Sequence, residues 1–203
     1  AFRGQDMAIG WYYSPADWHY LFVTNRGSSY DYWMSPEEHD EPYGTQGLPL
    51  LEYEKRQIRE LLANYGDIDI MWYDGPGEEL AEFTWELKPE VFIARARGTG
   101  IPTPEQEVPK PGEAPEGAWE TCMTMGGQWA YKPNDRYKSA RELVHKLVKI
   151  RAMGGNFLLN VGPKPDGTLP EPQVKLLKKL GRWMDVNAEA IHGVRPWKTA
   201  HEA

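Results

Sequence analysis

The chain has 203 residues, of which 26% are charged and 40% hydrophobic, and its formal net charge is −7. Those proportions suit one soluble globular domain with a sizeable core, and the acidic balance, with no Lys/Arg run, argues against a nucleic-acid partner. No apolar run reaches membrane-spanning length, residues 1–20 lack the n- and h-regions of a signal peptide, and the single cysteine, Cys122, permits no internal disulfide.

Met7 to Tyr13 reads as a strand that runs into Ser14-Pro15-Ala16-Asp17-Trp18, a loop with an aromatic anchor. Residues 24–48 are polar and rich in Gly, Pro, Ser and Tyr, which predicts a long loop. A helix follows over about residues 49–65, with Ile58, Leu61, Leu62 and Tyr65 at helical spacing. Asn64-Tyr65-Gly66 ends it. Ile68, Ile70 and Met71 then read as a buried strand that stops on Trp72-Tyr73-Asp74-Gly75. Glu78 to Leu87 is a short helix and Val91 to Ala94 a third strand. Residues 98–118, with four glycines and five prolines, form an irregular loop. Trp119 to Met125 is a fourth strand. Ser139 caps a helix to about Met153 that carries Leu143, Leu147 and Ile150 on one face, and Gly154-Gly155 stops it. Asn156 to Gly162 is a fifth strand. The last helix spans about residues 171–190, with Val174, Leu177, Leu180 and Met184 aligned.

Strands alternating with helices or long loops predict a parallel β/α arrangement. Five strands are too few to close an eight-stranded barrel, and an open doubly wound sheet fits the count as well. No Gly-x-Gly-x-x-Gly or P-loop pattern follows any strand, so nothing supports nucleotide binding.

In an extended strand Ile68, Ile70, Trp72 and Asp74 share a face. A carboxylate then stands beside an indole at the C-terminal rim of the strand, where β/α folds place their chemistry. Asp74-Gly75 also suits a plain turn, with Trp72 as core. Two carboxylates flanking a glycosidic bond can cleave it. Asp74 is one candidate, and Glu105, Glu107 and Glu120 are candidates for the second, each of which also reads as a solvated loop charge. Nine Trp and 11 Tyr offer flat faces that suit sugar rings and cores equally. The five histidines (His19, His39, His145, His192 and His201) lack metal-ligand spacing, no Gly-x-Ser-x-Gly elbow is present, and Cys122 reads as a small buried hydrophobe in a strand.

Four stretches together resemble the α-L-fucosidases of glycoside hydrolase family 29. They are Gly10-Trp11-Tyr12-Tyr13-Ser14-Pro15-Ala16-Asp17-Trp18; Asn64-Tyr65-Gly66 through Trp72-Tyr73-Asp74-Gly75; Trp119-Glu120-Thr121-Cys122-Met123-Thr124-Met125; and Gly154-Gly155-Asn156 through Asn160-Val161-Gly162-Pro163 with Asp166-Gly167. The match spans nearly the whole chain and is similar to the C-terminal part of the family's catalytic domain.

The resemblance implies a partial (β/α)8 TIM-like barrel, with the N-terminal barrel half absent from these residues. It implies retaining hydrolysis of terminal α-linked L-fucose from oligosaccharides or glycoconjugates. Asp74 takes the position of the family nucleophile, with Tyr73 where the family motif has Phe. Trp72 and Tyr12 would line the sugar, Glu105 inherits the acid/base role with Glu120 as the alternative, and Arg97 is the nearest match to a sugar-contacting arginine. The segments from Arg97 to Glu105 and after Asp74 are shorter than in relatives. No metal or organic cofactor is implied. The implied partners are a fucosylated glycan and either a missing barrel half or a second copy, and the implied compartment is periplasmic, secreted or lysosome-like. A catalytically dead carbohydrate-binding fragment and a retaining glycosidase of other specificity are the alternatives. A partial barrel would leave the first and fifth strands with an unpaired side, and would leave inward-facing Ile68, Ile70, Phe157 and Leu159 without their cover.

Overall fold

The computed structural model describes residues 2–15, 50–96, 98–197 and 199. The loop expected over residues 24–48, the Trp18 anchor and Arg97 lie outside them. The chain divides into two compact units, Ala1–Ile101 and Pro102–Ala203.

In the first unit a short 3-10 turn, Arg3–Gln5, precedes β1 (Gly10–Tyr13). Then come α1 (Leu50–Asn64), β2 (Ile70–Tyr73), α2 (Glu78–Leu87) and β3 (Phe92–Arg95). The strands form a parallel sheet in the order β1-β2-β3, with Tyr12 level with Trp72 and Trp72 level with Ala94. Among the described residues β1 pairs only with β2.

Helix α1 buries Leu50, Glu54, Ile58 and Leu62, one per turn, while Tyr65 is exposed beyond its end rather than extending the stripe. Gly66, at φ 84°, adopts the left-handed conformation that stops the helix. Along β2 the alternation of the pleat puts Met71 and Tyr73, both fully buried, against Ile58, Leu62, Leu80, Phe83 and Ile93. Ile70 and Trp72 stand on the other face. Ile68 departs from the expected face: it precedes the strand and belongs to the same helix-side core as Met71. Helix α2 starts at Gly77, where a Cβ would come within 3.0 Å of the Tyr73 Cβ, so glycine lets the helix begin directly above the strand. Glu78 and Glu79 complement the dipole of its first turn.

The second unit contains β4 (Glu120–Thr124), α3 (Ala140–Ala152), β5 (Asn156–Asn160) and α4 (Glu171–His192). Strands β4 and β5 are parallel, with Glu120 level with Asn156 and Thr124 with Asn160, and among the described residues β5 pairs only with β4. Ser139 caps α3, its Oγ accepting from the Glu142 N–H at 3.1 Å. Trp119 is fully buried, and a Cβ on Gly155 would lie 2.4 Å from its ring, which explains the glycine there.

Met125, Leu143 and Leu176 form this unit's core, with Phe157, Leu159, Val161, Leu177 and Leu180 packed against it. Phe157 and Leu159 therefore face the helices, and the opposite face of β5 carries Asn156, Leu158 and Asn160. The expectation that Phe157 and Leu159 await a missing cover is corrected by this register: the strand begins one residue out of step with that reading. The buried stripe of α4 likewise runs through Gln173 and Leu176. The Gln173 carboxamide Oε1 accepts from Gly162 N at 3.1 Å, which ties the helix to the loop after β5.

Candidate active site

Asp74 follows the last residue of β2. Its N–H donates to the Tyr13 carbonyl at 2.9 Å, so the backbone ladder continues one step past the strand and holds the residue at the rim. Its carboxylate is met from two sides. The Tyr12 hydroxyl donates to Oδ2 at 2.5 Å, and Arg95 Nη2 lies 3.3 Å from Oδ1. Tyr12 and Trp72, neighbours in register, stack at 5.4 Å with 21° between their planes. The Arg95 guanidinium lies over the Trp72 ring, 4.9 Å from its centroid. Burial first, then the hydrogen bond and negative charge of Asp74, raise the Tyr12 phenol well above the ordinary tyrosine range. It therefore remains a proton donor to Asp74 throughout neutral pH.

Arg95 is delivered by an unusual backbone. Arg95 and Ala96 have φ values of 62° and 38°, a left-handed pair of L-residues at the end of β3. Such conformations cost on the order of 1–3 kcal/mol each and persist only where the surroundings impose them. Gly100 is one imposing contact, because a Cβ there would fall 2.1 Å from the Arg95 carbonyl oxygen. The sequence motif Arg95-Ala96-Arg97 favours neither arginine by pattern. Only the register, with Tyr73 level with Arg95, singles out the first as a neighbour of Asp74.

On the helix-side face the Tyr73 hydroxyl lies 2.6 Å from Thr84 Oγ1, which itself donates to Leu80 O at 2.8 Å. Tyr73 is thus a core residue, and burial raises its phenol well above the usual range.

In the second unit Glu105 is exposed and bridges in parallel to Cys122 of β4. Its segment pairs with β4 as a short irregular strand: Glu120 N donates to Pro102 O at 3.1 Å, Cys122 N to Pro104 O at 3.1 Å, and Gln106 N to Cys122 O at 2.8 Å. Prolines made this stretch read as a structureless loop. Glu120 opens β4 and so lies at the end of the strand away from Thr124. The Glu107 carbonyl accepts from Thr121 Oγ1 at 2.6 Å. Cys122 is buried, as its strand position implied. Among the described residues no three His, Cys, Asp or Glu side chains cluster in a way that could hold a metal ion.

The structure thus brings Tyr12, Trp72 and Asp74 together and adds Arg95. A carboxylate with two fixed partners and a stacked aromatic pair stand together at the rim of parallel strands, where β/α folds place their chemistry. A family model described as Alpha-L-fucosidase matches residues 1–189, and the chain belongs to that family. It is 28% identical to the plasma alpha-L-fucosidase of Homo sapiens over 220 aligned positions, covering 97% of this chain and 44% of that protein. Among solved structures it is similar to alpha-L-fucosidase isoenzyme 1 from Paenibacillus thiaminolyticus, with a TM-score of 0.78 and 31% identity over 97% of this chain and 53% of that one. It is also similar to the Thermotoga maritima alpha-fucosidase solved with a mechanism-based inhibitor, with a TM-score of 0.71 and 27% identity over 97% of this chain and 46% of that one. The chain spans less than half the length of the curated relatives it matches.

Proposed function

We propose that this chain supplies the nucleophile and acid/base of a retaining α-L-fucosidase acting on terminal α-linked fucose of oligosaccharides or glycoconjugates. The observation that carries the reading is the Asp74 carboxylate at the rim, with Tyr12 on one oxygen and Arg95 on the other. Each partner takes one oxygen, and both leave a lone pair of the carboxylate to point at an anomeric carbon.

In the first step an Asp74 oxygen attacks that carbon as the glycosidic C–O bond breaks, and Glu105 gives its proton to the departing oxygen. In the second, Glu105 takes a proton from water, whose oxygen displaces Asp74 and releases fucose with its original configuration. Trp72 and Tyr12 would line the sugar, and Arg97 would contact it. Glu105 is preferred to Glu120 on position. Glu120 opens β4, roughly 13 Å below the C-terminal end of that strand at about 3.3 Å per residue, whereas Glu105 is level with Cys122, midway along it. No metal enters this mechanism.

For the architecture we propose a (β/α)8 barrel, to which these five strands contribute. The parallel pairing and the β/α order support it, and the remaining strands would come from the part of the relatives' length that this chain does not cover.

The test is the first-formed product of dinitrophenyl α-L-fucoside hydrolysis, followed by NMR. α-L-fucose should appear first and mutarotate afterwards. β-L-fucose appearing first would overturn retention, and binding without any turnover would favour a carbohydrate-binding role.

A further inference from the structure

The reading of Glu105 as acid/base leaves open how an exposed carboxylate on a proline-rich segment is held in place. Pro102 and Pro104 accept hydrogen bonds from β4 through their carbonyls, but neither has an N–H to return. The pairing is closed by Gln106, the residue after Glu105. Its backbone N–H bonds Cys122 O at 2.8 Å, and its left-handed φ of 55° breaks the extended run, after which the Glu107 carbonyl accepts from Thr121 Oγ1.

The Gln106 side chain then reaches further along β4. Its Oε1 accepts from Thr124 N at 3.2 Å and its Nε2 donates to Thr124 Oγ1 at 3.0 Å. The single proton of the Thr124 hydroxyl has two acceptors in reach, Gly126 O at 2.7 Å and Gln106 Oε1 at 3.2 Å; with it on the nearer Gly126 O, the two Gln106 bonds are satisfied together. Thr124 is a firm anchor. It is buried, and Lys138 Nζ donates to its carbonyl at 2.7 Å and to Gly126 O at 3.2 Å. Glu105 is therefore tied down on one side by Pro104 and on the other by a two-point amide clamp.

We propose that Gln106 and Thr124 are positioning residues for Glu105. The clamp on Thr124 sets the height and direction of Glu105 beside Cys122, midway along β4, so that its carboxyl can deliver a proton to the leaving oxygen. This rests on the acid/base assignment given above, and it makes the Gln106–Thr124 pair part of the machinery without either residue touching substrate.

The experiment compares phenyl with dinitrophenyl α-L-fucoside in the full polypeptide. Phenolate needs a proton to leave and dinitrophenolate does not. The ratio of the two rates in one preparation does not depend on how much of that preparation is folded. Gln106→Ala and Thr124→Val should each lower the phenyl-to-dinitrophenyl ratio about tenfold, a fraction of the effect of removing an acid altogether. Thr124→Ser, which keeps the hydroxyl, should restore the ratio. Ratios within about twofold of wild type in both Gln106→Ala and Thr124→Val overturn the positioning role. Glu105→Ala should lower the ratio by about a hundredfold or more. If that variant alone does so, the clamp proposal falls and the acid/base reading stands. If it leaves the ratio intact, the acid/base reading fails, and the clamp proposal with it.

Discussion

The hydroxyl of Tyr12 on β1 donates a 2.5 Å hydrogen bond to Oδ2 of Asp74, just beyond the end of β2, across 62 positions of sequence. A hydrogen bond to a charged group contributes roughly 1.5–3 kcal/mol, equivalent to about ten- to a hundredfold in rate where it orients a reacting group. Tyr12→Phe keeps the stack on Trp72 and removes only the oxygen. Its kcat/KM on dinitrophenyl α-L-fucoside should fall by that factor, and an unchanged value would remove Tyr12 from the orientation of Asp74.

Asp74→Ala should lower turnover by several orders of magnitude. Added azide should restore part of it and yield β-L-fucosyl azide, because a small anion entering the vacated space attacks once and inverts the centre. A retained azide product would transfer the nucleophile's role elsewhere.

Tyr73 stands where the family motif has phenylalanine, and its hydroxyl is buried against Thr84. Tyr73→Phe should cost only about 1 kcal/mol in a urea melt, since Thr84 keeps its bond to Leu80 O. The phenols of Tyr12 and Tyr73 are both raised on folding, with burial the first cause of each. Unfolding therefore releases protons once the pH passes the unfolded value of about 10. The stability these groups contribute is complete below that value and is lost as the pH climbs through the folded values. The urea midpoint should fall between about pH 9 and about pH 11, and it should fall less in Tyr73→Phe. Equal losses in the two proteins would contradict the assignment to Tyr73.

Gly155→Ala places a methyl group 2.4 Å from the buried Trp119 ring. Overpacking of this kind costs typically about 1–3 kcal/mol, and the melting temperature should drop accordingly. An unaltered melt would mean that the indole can shift away.

Much of the fold was readable because local signals agreed with tertiary packing. The bounds of α2 and the Ser139 cap of α3 are as the residues imply, and all five strands occur in order, four of them shorter than expected and β3 of the expected length but one residue later, at Phe92–Arg95. The misreadings share a cause: period-two patterns give alternation but not its phase. Alternation alone puts Ile68, Phe157 and Leu159 on an inward face, whereas helix packing puts them on the other side. In the site, Trp72, Asp74 and Tyr12 were legible from motif and strand end. Arg95 was hidden beside Arg97, because its approach depends on a left-handed backbone held by Gly100. Gln106 was hidden because two prolines disguised a strand-like pairing with β4.

Covalent trapping tests the central claim most directly. A deactivated fluoro-fucosyl fluoride forms the glycosyl-enzyme quickly and loses it slowly, so the intermediate accumulates and its position can be mapped by peptide mass spectrometry. The account predicts one added fluorofucosyl unit on the peptide carrying Asp74, the anomeric fluoride having left, with slower labelling in Tyr12→Phe. A label on any other carboxylate, or turnover of the aryl fucoside with no covalent species formed, would contradict it.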